Sequence, residues 1–322
     1  MNRLFVIVAA AALLAACTAE QAAVLPAGME KVRLDVSVPV SSMTKLTDAG
    51  DESAVNRVQV FVFREDGSID ASGIAGSGSI ELDCTAGDRS IVAVVNTPEI
   101  DGIYDMAGLE EKISVLQDNS AGSLVMSGIM NVTLTASASV TVPVRRLAAK
   151  VSIERIDVDF ALEQYQDAGF EITGIYLTNV AADAHFIGDG APSSWLNVQG
   201  KDLLQNELVG DLGMSVPIAD GAAYETAHHF YCYPNPYQED SFGEEWSPRH
   251  TRLVVEANLA GKTCYYAMTM PVIEANHAYV VTGLNITRPG SSDPEQEIRP
   301  EEASFTIKVE DWEDGYSGSF EI

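Results

Sequence analysis

The chain has 322 residues, with 19 Lys and Arg against 47 Asp and Glu, a formal net charge of −28 and an apolar share of 46%. So acidic a balance excludes nucleic acid as a ligand, because phosphate binding needs clustered positive charge, and it gives a soluble, self-repelling exterior. Length and apolar content allow one large or two ordinary domains, each with a real core.

Arg3 supplies a positive start, and the apolar run from Leu4 to Leu14 is too short to cross a membrane as a helix. Leu14-Ala15-Ala16-Cys17 closes it. That order resembles the lipobox of bacterial lipoproteins, in which the signal is cut between Ala16 and Cys17 and Cys17 receives lipid. The alternative is an ordinary secretory signal with an incidental cysteine. Both predict export, with residues 1–16 outside the fold. No later run reaches a transmembrane length, so lipid is the expected membrane anchor. Cys84, Cys232 and Cys264 are an odd number far apart and do not form a disulfide framework. Cys232 and Cys264 either pair or stay as buried thiols.

Alternation with period two runs through most of the mature chain. Val32, Leu34, Val36, Val38 and Val40 alternate with polar residues and predict a half-buried strand over residues 31–40. Further strands are predicted at 57–63, 79–83, 90–96, 131–136, 139–144, 150–160, 170–179, 252–258, 263–269, 278–286 and 304–312. Glu65-Asp66-Gly67 and Ala86-Gly87-Asp88 supply turn chemistry between them. Residues 106–116 predict a short helix, and a second is expected at 201–208. Short strands with regular turn punctuation predict an all-β fold of two sandwich domains, 17–144 and 145–322. Residues 181–248 read as a loopier stretch, and 287–302, polar and bearing Pro and Gly, as a flexible link to the last strands.

Several blocks, in order, resemble the fimbrillins, the subunits of type V pili. They are Ser42-Met43-Thr44-Lys45-Leu46, Asp51-Glu52-Ser53 and the strand Val58-Gln59-Val60-Phe61-Val62-Phe63. Cys84-Thr85-Ala86-Gly87-Asp88-Arg89 leads into Val92-Ala93-Val94-Val95-Asn96-Thr97, then come Leu124-Val125-Met126-Ser127-Gly128 and Arg145-Arg146-Leu147-Ala148-Ala149-Lys150-Val151. The stretch from Phe305 to Trp312 is similar to the family's last strands. No single block is specific; their order and spacing carry the likeness. The resemblance implies transthyretin-like sandwiches with Greek-key-like connections, and lipoprotein export to the outer membrane. It also implies a surface fimbrium used in adhesion and biofilm formation, built after a protease cuts the loop behind the first strand. That strand leaves, and a C-terminal strand of another subunit replaces it.

The residues allow each step. Within the loop 41–56, Lys45 is the sole basic residue, so a trypsin-like surface protease is expected to cut between Lys45 and Leu46; a solvated loop lysine is the plainer account. Removing residues 31–40 exposes an apolar groove and unpaired edges. The replacement must alternate as well. Phe305, Ile307 and Val309, then Tyr316, Phe320 and Ile322, meet that need. Such a head-to-tail contact does not close and so builds a filament. Equally, these are the last two strands of the second domain's own sheet. Expected partners are other copies of the chain and anchor or tip subunits. An anchor or accessory subunit, or a monomeric lipoprotein binding a glycan or host protein through Trp195, Tyr231, Tyr233, Tyr237 and Trp246, are the alternatives. No catalytic constellation, metal site or cofactor motif stands out. His228 and His229 point to opposite faces of a strand, and the remaining histidines are isolated.

Overall fold

The computed structural model describes residues 30–39, 52–239, 246–312 and 317–320, the last four as backbone only. Ala16, Cys17, Val40, Lys45, Leu46, Tyr316 and Ile322 lie outside the described residues. In chain order the first group of elements is β1 (Lys31–Ser37), β2 (Val58–Arg64), β3 (Ile69–Ala75), β4 (Ser79–Thr85), β5 (Gly87–Val95), α1 (Met106–Glu110), β6 (Ile113–Val115), β7 (Met126–Leu134), β8 (Ala138–Thr141) and β9 (Arg145–Arg146). The second runs β10 (Ala149–Ile153), β11 (Ile156–Val158), α2 (Glu163–Gln166), β12 (Phe170–Thr178), β13 (Val180–Ala181), β14 (Asp183–His185), β15 (Trp195–Leu196), β16 (Gly210–Ile218), β17 (Ala222–Tyr224), β18 (His228–Cys232), β19 (Arg252–Leu259), β20 (Lys262–Thr269), β21 (His277–Ile286), β22 (Ala303–Asp311) and β23 (Ser317–Phe320).

In the first sandwich a small sheet, β4-β1-β8, faces a larger one, β3-β2-β5-β7-β9. The chain crosses between these two sheets after β1, β3, β4, β7 and β8, which gives the crossed connections expected of a Greek-key-like fold. Val58, Val60 and Val62 of β2 and Ile91, Ala93 and Val95 of β5 meet Leu34, Val36 and Cys84 between the sheets. The other face of β2 and β5 is also covered. Phe61, Phe63, Val92 and Val94 pack against Ile103, Leu109 and Phe186, so these strands read as nearly continuous apolar runs.

In the second sandwich β12 is central in the sheet β16-β12-β19-β20. Opposite it, β21 pairs in parallel with both β10 and β11 on one edge and antiparallel with β22 on the other, and β23 lies outside β22. The sandwiches are joined by more than the chain. β6 of the first pairs with β14 of the second, Ser114 and Tyr233 share a buried hydrogen bond of 2.6 Å, and Phe186 enters the first sandwich's outer core.

Five expectations need correction. The helix predicted over 106–116 stops at Glu110, because residues 113–115 pair with β14 instead. No helix forms at 201–208. There Asn197 Oδ1 accepts from Leu204 N at 2.9 Å and Asn206 Oδ1 from Leu208 N at 2.9 Å, local bonds that compete with helix formation. The loopier stretch contains the nine-residue strand β16. The supposed flexible link is pinned along the edge of β20: Ser291 and Tyr265 exchange backbone bonds at 2.8 and 3.0 Å, and Ile298 N donates to Ala267 O at 3.0 Å. Its Glu295 lies 3.6 Å from Arg249 and 3.4 Å from Arg252. The segment thus covers an edge that would otherwise be open to another chain. The long strand read at 150–160 is also interrupted between β10 and β11, next to the irregularity at Val281/Gly283 on β21.

Gly128 shows how tightly β7 is crossed. A Cβ there would lie 1.8 Å from the Pro143 carbonyl oxygen. Gly128→Ala is therefore expected to destabilise the chain by about 1–3 kcal/mol, read as a lower urea midpoint with unchanged slope.

Candidate assembly site

β1 is held on both edges. It pairs antiparallel with β4 along its whole length, Lys31 opposite Thr85 through Ser37 opposite Ser79, and in parallel with β8, Leu34 opposite Ala138 through Ser37 opposite Thr141. Ala86 N donates to Glu30 O at 2.8 Å and Val38 N to Gly78 O at 2.9 Å, closing the two ends. Since β4 and β8 contact β1 and not each other within this sheet, taking β1 away leaves a slot with two unpaired edges.

The inward residues of β1 fill that slot with apolar mass. Val32, Leu34, Val36 and Val38 are 5%, 0%, 1% and 4% exposed. At roughly 1.5–3 kcal/mol each they contribute about 6–12 kcal/mol, comparable with the whole stability of a typical domain at ~5–15 kcal/mol. The outward residues add little. Arg33 lies 3.9 Å from Glu81 and 4.0 Å from Asp83, and all three side chains are well exposed. Cys84, opposite Val32, is buried with its thiol 3.8 Å from the Val32 carbonyl. Burial, with the nearby Asp70 charge, pushes that thiol up. Cys84, Cys232 and Cys264 are all free and buried, and burial pushes Cys232 up to about 12.

Downstream of the loop containing Lys45 and Leu46, the chain is fastened again. Asn96, in the left-handed region at φ 58°, accepts from Asn56 N at 2.8 Å and Arg57 N at 3.3 Å, and donates to Ala54 O at 2.7 Å and Leu124 O at 3.0 Å. Glu52 reaches the second sandwich. Its carboxylate accepts from Lys150 Nζ at 2.8 Å, Tyr231 OH at 2.6 Å and Trp312 Nε1 at 3.0 Å. Nothing in composition or periodicity marks Glu52, Asn96 or Trp312 as partners. The one signal was their place inside the ordered blocks.

The two terminal strands differ. Ile307 of β22 is 3% exposed, and Phe305 and Val309 pack against the second core; β22 also pairs with β21 from Ala303 to Asp311. β23 is an outer strand, held through four residues, with Phe320 opposite Ile307. Trp195, Tyr237 and Trp246 gather as expected, but they spend their faces on one another, edge to face at 5.7 and 5.6 Å. Trp246 Nε1 donates to Asn179 Oδ1 at 3.2 Å. Tyr231 and Tyr233 are buried elsewhere in the core, at 3% and 0% exposure. Among the described residues, no three His, Cys, Asp or Glu side chains gather as a metal site.

Two sandwiches, the first closed by a strand paired on both edges and the second ending in an outer strand, make a β-sandwich protein of the fimbrilin fold. The chain is similar to a fimbrilin from Porphyromonas gingivalis W83, with 17% identity, TM-score 0.61, and 88% of this chain and 98% of that one covered. A candidate cell adhesion protein from Bacteroides eggerthii gives 18%, TM-score 0.66, and 88% and 97%. The tip fimbrial protein from Porphyromonas gingivalis, truncated at its C-terminus, gives 13%, TM-score 0.55, and 88% and 100%. No curated protein matches the chain. Residues 32–155 match the family model of the Major fimbrial subunit protein (FimA). The family's sequence thus lies in the first sandwich, and the fimbrilin fold runs through both.

Leu34→Ala is expected to lower the stability of the uncut chain by about 2–5 kcal/mol, while Arg33→Ala costs under about 1 kcal/mol. Urea unfolding of the two variants side by side checks the contrast.

Proposed function

We propose that this chain is a polymerising structural subunit of a type V fimbrium, exported as a lipoprotein on Cys17, cut between Lys45 and Leu46, and joined to its neighbour by strand exchange. The observation that carries this reading is the placement of β1 at the centre of a three-stranded sheet whose other two strands do not pair. Loss of that strand opens a slot of defined length, depth and polarity. An alternating strand from another copy satisfies both its edges and its floor.

The donated segment follows Trp312. β22, with Phe305, Ile307 and Val309, is a full member of its own sheet, and removing it would strip β21 of a partner. β23, with Phe320 and the flanking Tyr316 and Ile322, gives up only a short outer pairing. The aromatic alternative has less support, since Trp195, Tyr237 and Trp246 pack on one another.

Mild trypsin treatment of a chain beginning at Thr18 tests the reading, with Cys84 as an internal reporter. Cleavage should give a new N-terminus at Leu46 and release β1. Cys84 should then react with maleimide, while Cys232 and Cys264 stay protected. Multimers should form, and Cys84 should become unreactive again as they do. An intact loop, or a cut product in which Cys84 never reacts and no multimers form, would overturn it.

A further inference from the structure

We infer, resting on the strand-exchange reading above, that Glu52 is a positioning residue for assembly: it pins the root of the C-terminal tail to the downstream end of the processing loop, and so fixes the point from which the tail reaches a second copy of this chain. Three segments far apart in sequence meet at its side chain. Lys150 comes from β10, Tyr231 from β18, and Trp312 stands just past the end of β22. The Glu52 carbonyl also accepts from Arg146 Nε at 3.1 Å.

The junction is buried around the Trp312 ring. The Arg146 guanidinium lies 4.7 Å from the ring centroid, a cation–π distance. Tyr231 stacks on the ring at 6.0 Å and 16°. Asn276 completes the frame, with its carbonyl accepting from Trp312 N at 3.1 Å and its Oδ1 from Arg146 Nη1 at 3.3 Å. Lys150 and Glu52 are each 10% exposed in their side chains, and Trp312 is 9% exposed. A carboxylate so placed, bonded to three donors and facing a buried ammonium, is costly to remove.

The place of Glu52 in the chain gives the junction its use. A cut between Lys45 and Leu46 sends β1 away with the upstream piece, whereas Glu52 stays with the subunit. The processed chain therefore keeps its new N-terminal stub fastened to the second sandwich. β22 stays anchored at its last turn through Trp312, while everything beyond that residue is available for donation. One side chain thus divides what is fixed from what is offered, at both ends of the mature chain.

Glu52→Gln and Trp312→Phe test this with the trypsin protocol. The first keeps the shape of the side chain and removes its charge. The second keeps an aromatic six-membered ring and removes the pyrrole half of the indole, with the N–H donated to Glu52. With the rate of cutting at Lys45 and the appearance of reactive Cys84 unchanged, both variants should lengthen into multimers at least about tenfold more slowly, the factor that 1.4 kcal/mol of lost positioning corresponds to. Both should also accumulate a product ending at Lys308, because β22 frays once its end is released. If Glu52→Gln does not fold, as judged by its thermal melt, Trp312→Phe decides alone. Multimer growth and Lys308 protection equal to the parent chain would overturn the pin. A parent chain that is cut but never forms multimers would instead overturn the strand-exchange reading, and the Lys308 product would still judge the pin.

Discussion

The pairing of β1 on two sides is the constraint on which the rest depends. A strand inside a sheet must satisfy N–H and C=O groups toward both neighbours and bury one row of side chains. β1 does both within seven residues, from Lys31 to Ser37. The first sandwich therefore has no small sheet without it: β4 and β8 are edge strands on either side of a gap. The same geometry that makes β1 indispensable also makes its site reproducible, because any chain with matching alternation meets the same donors, acceptors and apolar floor.

Selectivity follows from what the first sandwich does not leave open. Its outer face is covered by the connection through α1 and by Phe186 from the second sandwich. In the second sandwich the edge of β20 is covered by residues 287–302, fastened through Glu295 to Arg249, Arg252 and Asn179. Asn179 Nδ2 donates to that carboxylate at 3.0 and 2.9 Å. Covered edges reduce wrong pairings with other chains.

The all-β character and the first strand were legible because alternation is a local signal: Val32, Leu34, Val36 and Val38 are buried in the register that their spacing demands. The same signal failed where local bonding competed, as at Asn197 and Asn206, or where turn-forming residues masked it, as in β16, whose Leu212, Met214, Val216 and Ile218 alternate with Gly213, Ser215 and Pro217. The ordered blocks were visible as sequence but not as physics. Their reasons lie in contacts between distant residues: Thr85 and Arg89 close on the buried Asp70, with Arg89 Nε at 2.9 Å from its carboxylate, Asn96 collects the chain after the loop, and Arg146 and Lys150 meet Glu52. Alternation also cannot distinguish β22 from β23, since both have it; only the partners on each side separate a strand built into its sheet from one resting on its edge.

Why cutting a loop should matter is a question of concentration rather than of contacts. While β1 is covalently joined to its own sandwich, its effective concentration at the slot is on the order of millimolar or higher, and no strand from another molecule competes. On the strand-exchange reading, cutting on the far side of β1 leaves the described pairing of β1 in place. It turns the strand into a separate ligand, whose occupancy then falls with dilution as it dissociates. The departing strand ends at the cut, while the incoming one is tied to a whole subunit and arrives with further surface to bury. On that reading the native contacts of β1 act first as a plug and then as a template, and the switch between the two roles is a change of linkage. That is consistent with a site whose energetics rest on backbone pairing and four buried aliphatic side chains, and hardly at all on the exposed charges of Arg33, Glu81 and Asp83.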